Sequence, residues 1–297
     1  MGWRIPHLTV PVPRHELPNG LGGRAEELDK STVANVEWLE SPPAGFRLAF
    51  GTALLAAFTH CGEDPRAADL PTWEAWVTAT QVGSALFATS TATTGTVKCR
   101  ITDQVRTIRA TGPQFHSNAE NWLNAFWLTI ACGEQERMTA LAQVPLEVLR
   151  ASGADYDEYI YSWISALQTW WLRGGDLGGL LSAAFDGTDP EELEDGDRDL
   201  VLRIIYPPMN LFLRYITGDH VRFNEALADA LRRHKEYWTR VDGGTNTGNC
   251  SSFVALGPLA MACLARDAGF PLTVESEYLP KHLVARSWVG EFDTIST

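Results

Sequence analysis

The alternation of apolar and polar positions along the chain predicts one helix after another, with a single change of period. Leu28, Val33, Val36 and Leu39 give residues 24–39 a weakly amphipathic helical spacing, stopped by Ser41-Pro42-Pro43. Residues 46–60 are apolar almost throughout, which predicts a central helix covered on most faces and ended by Gly62. Residues 71–87 open on Pro71, suited to a first helical turn, and carry Trp73, Trp76 and Val77. The period then falls to two, as Val97, Cys99 and Ile101 alternate with Lys98 and Arg100. That pattern predicts one β-hairpin near 97–109, turning at Thr102-Asp103-Gln104 and ended by Gly112-Pro113.

Helical spacing resumes at 118–132, where Trp122, Phe126 and Ile130 share a stripe. It is strongest at 156–172, through Tyr159, Ile160, Trp163, Ile164, Leu167, Trp170 and Trp171. A short Gly-flanked helix is expected at 176–185. In 198–217 the pair Pro207-Pro208 must break or kink the helix. Residues 220–238 repeat the stripe through Phe223, Leu227, Leu231, His234 and Trp238. Gly243, Gly244 and Gly248 then mark a mobile loop at 242–250. Residues 253–284 read as an apolar helix, a Gly-Phe-Pro turn, a short extended piece and a Pro-started helix. The Pro- and His-rich residues 1–19 read as an extended, loosely held arm. No fixed-period repeat interrupts this order, so the expectation is mainly α: a single compact multi-helix domain over 20–297, with one small β-hairpin.

Composition narrows the function classes. A hydrophobic share of 45% over 297 residues is enough for a sizeable core, and helical spacing assigns most of the 11 tryptophans to it. The formal charge of −13 argues against a nucleic-acid partner, which is gripped through Lys and Arg. The acidic field serves solubility or draws in a basic partner. Five widely spaced cysteines without a CxxC pair read as free thiols in a reducing cytoplasm. The first residues contain no apolar signal core, Pro6 stands where a myristoylation motif needs Ser or Thr, and the longest apolar run, 48–58, is too short to span a membrane. A cytoplasmic protein with no membrane partner is expected.

Motifs with chemistry fail on inspection. Asp195-Gly196-Asp197-Arg198-Asp199 starts like a calcium loop, but Leu200 and Tyr206 stand where Gly and Glu are required. Gly20-Leu21-Gly22-Gly23 follows no strand and cannot set a pyrophosphate on a helix end. Cys250, before an expected Ser251-Ser252 N-cap, has no positioned histidine to activate it. His234 lies on an apolar stripe and reads as a hydrogen-bonded core histidine. No catalytic residue, metal ligand or cofactor is therefore expected.

The segments FVALGPLAMACLARDAGFPLTVESEYLPKHLV (253–284), HKEYW (234–238) and YPPMNLF (206–212) resemble the bacterial immunity family known as immunity protein 49. NWLNAFWL (121–128), RMTALAQVPLEVLR (137–150) and YDEYIYSWISALQTWWLR (156–173) extend the resemblance from about Thr111 to Phe292. It implies a mainly helical protein that neutralises a toxin of a polymorphic toxin system and does not identify the toxin. The expected partner- or ligand-binding residues are Glu275, Glu277, Tyr278, Lys281 and His282, with Tyr206 and Asn210. Lys281 and His282 are expected within reach of Glu275 or Glu277. The alternative is a small-molecule enzyme or ligand-binding protein that reuses the scaffold with an aromatic-lined pocket.

Overall fold

A computed structural model describes residues 9–191, 193, 198–240 and 246–290. Residues 1–8 of the arm, Asp195-Gly196-Asp197 of the acidic motif, and Gly243 and Gly244 of the expected loop lie outside the described residues. The chain runs β1 (Val10–Pro11), α1 (Arg24–Glu37), α2 (Phe46–Glu63), α3 (Leu70–Thr91), β2 (Thr96–Ile101) and β3 (Gln104–Arg109). It continues through α4 (Ala119–Cys132), α5 (Gln135–Ala142), α6 (Leu146–Arg150), α7 (Glu158–Leu172), α8 (Leu177–Asp186) and α9 (Arg198–Leu200). The last elements are α10 (Tyr206–Ile216), α11 (His220–Thr239), α12 (Leu256–Asp267), β4 (Val274–Glu275) and α13 (Lys281–Val284). The fold is mainly α.

The apolar surplus of α2 and α3 follows from where they sit. α1 covers one side of α2, α3 covers another, and α4 lies beyond α3. α4 in turn packs on α12, α12 on α10 and α10 on α11, while α7 lies between α8 and α5 and touches α4. Contact is close where α2, α3 and α4 meet: a Cβ on Gly83 would stand 2.8 Å from the Phe50 ring and 3.0 Å from the Ala125 methyl. Trp76, Trp122 and Trp163 are fully buried in one contiguous core cluster. Trp163 lies 5.3 Å from Phe212, edge to face, and 6.2 Å from Trp127.

The hairpin forms where period two predicts it, antiparallel, with Cys99 opposite Arg106 and Val97 opposite Ile108. Thr102 takes a positive φ of 60° at the turn, and Gln81 on α3 accepts its backbone N–H at 2.6 Å. Three local expectations are corrected. The break in the α pattern falls before Pro207-Pro208 and not at them: a π turn, Val201–Ile205, joins α9 to α10, and Tyr206 N–H reaches back to Val201 O. The wider turn places both prolines in the first turn of α10, where a missing N–H goes unnoticed. Ser251-Ser252 does not cap α12, because Cys250–Ser252 form a separate 3₁₀ turn capped by Asn249 and the helix begins at Leu256.

The third correction concerns the arm. Residues 9–15 are not loosely held: β1 pairs in parallel with β4, Val10 N–H donates to Thr273 O at 2.8 Å, and Val12 N–H to Glu275 O at 2.9 Å. Lys235 Nζ holds Pro13 O at 3.0 Å, and Val12 and His15 are buried.

Candidate functional site

Of the expected C-terminal cluster, Glu275, Glu277 and Tyr278 lie on the strand and turn between α12 and α13, and Lys281 and His282 open α13. Tyr278 is its buried member. The His15 N–H donates to the Tyr278 hydroxyl at 3.2 Å, and His15 Nδ1 lies 2.7 Å from the same oxygen. With no other acceptor for its proton among the described contacts, the Tyr278 hydroxyl donates to Nδ1, which puts the proton of the neutral ring on Nε2. Nε2 faces Ser252 Oγ at 3.2 Å, and Ser252 Oγ donates onward to Thr247 O at 3.3 Å. His234 packs edge-on against Tyr278 at 4.8 Å, its Nε2–H donating to Ser252 O at 3.0 Å. His234 is thus the hydrogen-bonded core histidine expected from its stripe.

Electrostatics follow from this burial. Desolvation pushes the Tyr278 hydroxyl up to about 12, against the opposing pull of the His15 N–H and Arg14. Burial drives His234 down to about 4, although its bond to Ser252 favours the charged ring and His15 adds repulsion. Burial, then Arg14, lowers His15 as well.

The exposed members of the cluster are set apart from Tyr278. Glu275 and Lys281 are exposed, and Glu277 is 56% exposed with its carboxylate 3.9 Å from Arg14. The Arg14 guanidinium, almost fully buried, also donates to Cys61 O at 2.9 Å at the end of α2. His282 is half-buried, its ring 3.0 Å from Ser287 Oγ and its backbone N–H on Arg66 O. Among the described residues, neither Lys281 nor His282 is ion-paired with Glu275 or Glu277, so the expected mixed-sign network is replaced by the Arg14–Glu277 contact. Tyr206 and Asn210 are half-buried on α10, Tyr206 against Phe185 with ring centroids 6.0 Å apart. No described hydrogen bond, ion pair or ring contact joins these two to the cluster. Arg14, His15 and Ser252 complete the arrangement; the first two were not singled out by sequence and Ser252 only as an N-cap, and the signal was a polar Arg-His pair inside an otherwise Pro-rich arm.

The cysteines take no part in this surface. All five are buried thiols, with Cys61 and Cys132 pushed up to about 12 by burial; Cys250 accepts from Thr59 Oγ1 at 3.1 Å. Among the described residues, no group of three or more His, Cys, Asp or Glu side chains is placed to hold a metal, and no helix is long and apolar enough to cross a membrane.

A second concave feature lies on the other side of α2, a cleft of about 670 Å³ between α1, α3 and the hairpin. Its charged lining includes Asp29, Glu74, Arg100, Asp103 and Arg106. Asp29 is held by His60, whose Nε2 lies 2.8 Å from its carboxylate. Burial opposes the His60 charge, but Asp29, with Glu63 and Asp64 nearby, outweighs it and raises the pKa.

No curated protein and no solved structure matches the chain. The family model for immunity protein 49 matches residues 64–283, well over half of the chain and reaching back through α3 and the hairpin. On that match the chain belongs to the immunity protein 49 family.

Proposed function

We propose that this protein neutralises a cognate bacterial toxin of a polymorphic toxin system by binding it in the cytoplasm and masking its active site, with no reaction of its own. Family membership over residues 64–283 carries this reading. The exposed side chains of Glu275, Glu277 and Lys281, set on a rim made rigid by the arm, supply charged contacts of the kind that set partner choice and encounter rate. The net charge of −13 favours a basic toxin, which the field of the whole protein steers inward.

The test is co-expression with the toxin encoded beside the gene, followed by co-purification and titration. Wild type should rescue growth and bind with micromolar or tighter affinity, on the order of specific partners. Glu277→Gln and His282→Ala should weaken neutralisation while the melting temperature stays nearly unchanged, since the half-exposed Arg14–Glu277 pair contributes at most ~1 kcal/mol and alanine keeps the His282 backbone bond to Arg66 O. Failure of the wild-type protein to bind that toxin would retire the reading. A parallel fall in stability and neutralisation in both variants would retire the rim as the contact surface and leave it a structural clamp.

A further inference from the structure

The cleft beside α2 has the build of a ligand site. Its floor is made of Ala53 and Ala56, small residues on α2. Val33 and Val36 of α1 form one wall, and Trp73 and Val77 of α3 the other. From Trp73 to Gln81 the α3 wall rises ~12 Å at the usual helical rise. A volume of about 670 Å³ with a mostly apolar lining is in the range of small-molecule sites.

The hairpin end sets two arginines beside Asp103 in a protein whose net charge is −13. Arg100 and Arg106 both line the cleft there, and Arg137, lowered in pKa by burial and to a smaller degree by Arg100, is met by Glu134 at 3.6 Å. Arg106 shares a strand face with Ile108, opposite Cys99, and is therefore turned inward and buried. Its nearest carboxylate is that of Glu40, at 3.6 Å, beyond hydrogen-bond reach, and its Nε has no acceptor. A desolvated guanidinium with one loose, half-exposed counter-ion is incompletely compensated, and an anion placed in the cleft would complete it.

We propose that this cleft binds an amphipathic organic anion, its apolar body lying on Ala53 and Ala56 between Val33 and Trp73 and its acidic head turned to Arg106. The proposal is independent of toxin binding and concerns a face where α1 and α2 meet α3 and the hairpin.

The probes are decanoate, the uncharged analogue decanol, and anilinonaphthalene sulfonate as the displaced fluorophore. Decanoate should bind saturably and displace the fluorophore roughly tenfold better than decanol, the ratio a single charge-assisted contact gives. In Arg106→Met the two probes should become equivalent. In wild type, decanoate should shift the Trp73 indole N–H resonance and leave that of Trp163, in the core, in place. If Arg106→Met proves unstable by its melting temperature, Arg100→Gln and the wild-type indole shifts decide instead. Equal binding of acid and alcohol, no saturable decanoate binding below ~1 mM, or shifts that bypass Trp73 would overturn the proposal.

Discussion

Acid should loosen the arm's clasp through His234, and the size of the effect can be worked out. The ring is neutral in the folded protein because burial drives its pKa from 6.5 to about 4. In the unfolded chain it returns to 6.5, so between these values the unfolded state binds a proton that the folded state refuses. The stability that depends on the neutral ring is therefore fully present above pH 6.5 and is lost as pH falls toward 4, levelling off below. At 1.36 kcal/mol per pH unit, the loss across that window is about 3 kcal/mol. Urea unfolding at a series of pH values, on wild type and His234→Gln, isolates the term. Gln keeps a donor for Ser252 O and removes the titration, while His15 and His60 titrate in both proteins. Wild type should lose about 3 kcal/mol more than the variant between pH 6.5 and 4. Parallel curves for the two proteins, or a His234 ring that titrates near 6.5 in the folded state by NMR, would refute the reasoning.

Two further outcomes test the packing. Trp163→Ala should cost about 3–5 kcal/mol in chemical unfolding, because it empties a fully buried site between Trp127 and Phe212; near-unchanged stability would mean the α7 stripe is not core. Tyr278→Phe should cost about 1–3 kcal/mol by stranding the His15 N–H and Nδ1, and should speed hydrogen exchange at the Val10 and Val12 amides. Loss of toxin binding in that variant without loss of stability would make Tyr278 a contact residue instead of a clamp.

What the sequence made legible was whatever a single element carries in its own period. The α7 stripe and the hairpin alternation each span enough positions to announce one face, and both faces are buried as read. Arg106 was not readable, since Val105 and Ile108 stand at opposite parity and leave the inward face of β3 undecided. The β1–β4 pairing had no such signal: two residues per strand give no alternation, and its partners stand more than two hundred positions apart. Tyr278 shows the same limit from the other side. Among Glu275, Glu277, Lys281 and His282 it looked like part of a surface, but it is buried and its hydroxyl is met by His15, a residue its own segment cannot reveal. The π turn before Pro207 escaped because a proline pair states only that an α-helical bond is missing, and not which wider turn replaces it.

The matched span also explains why the cluster alone could not be interpreted as a site. Residues 64–283 contain Tyr278, Glu277 and Ser252, but Arg14 and His15, which fix their positions, lie outside that span. The cleft repeats the arrangement, with Trp73 and Arg106 inside the span and Val33, Val36, Ala53 and Ala56 outside it. A fragment starting at residue 64 would therefore lose the arm's donors to Tyr278 and the cleft's floor together, while keeping every segment that carries the family resemblance.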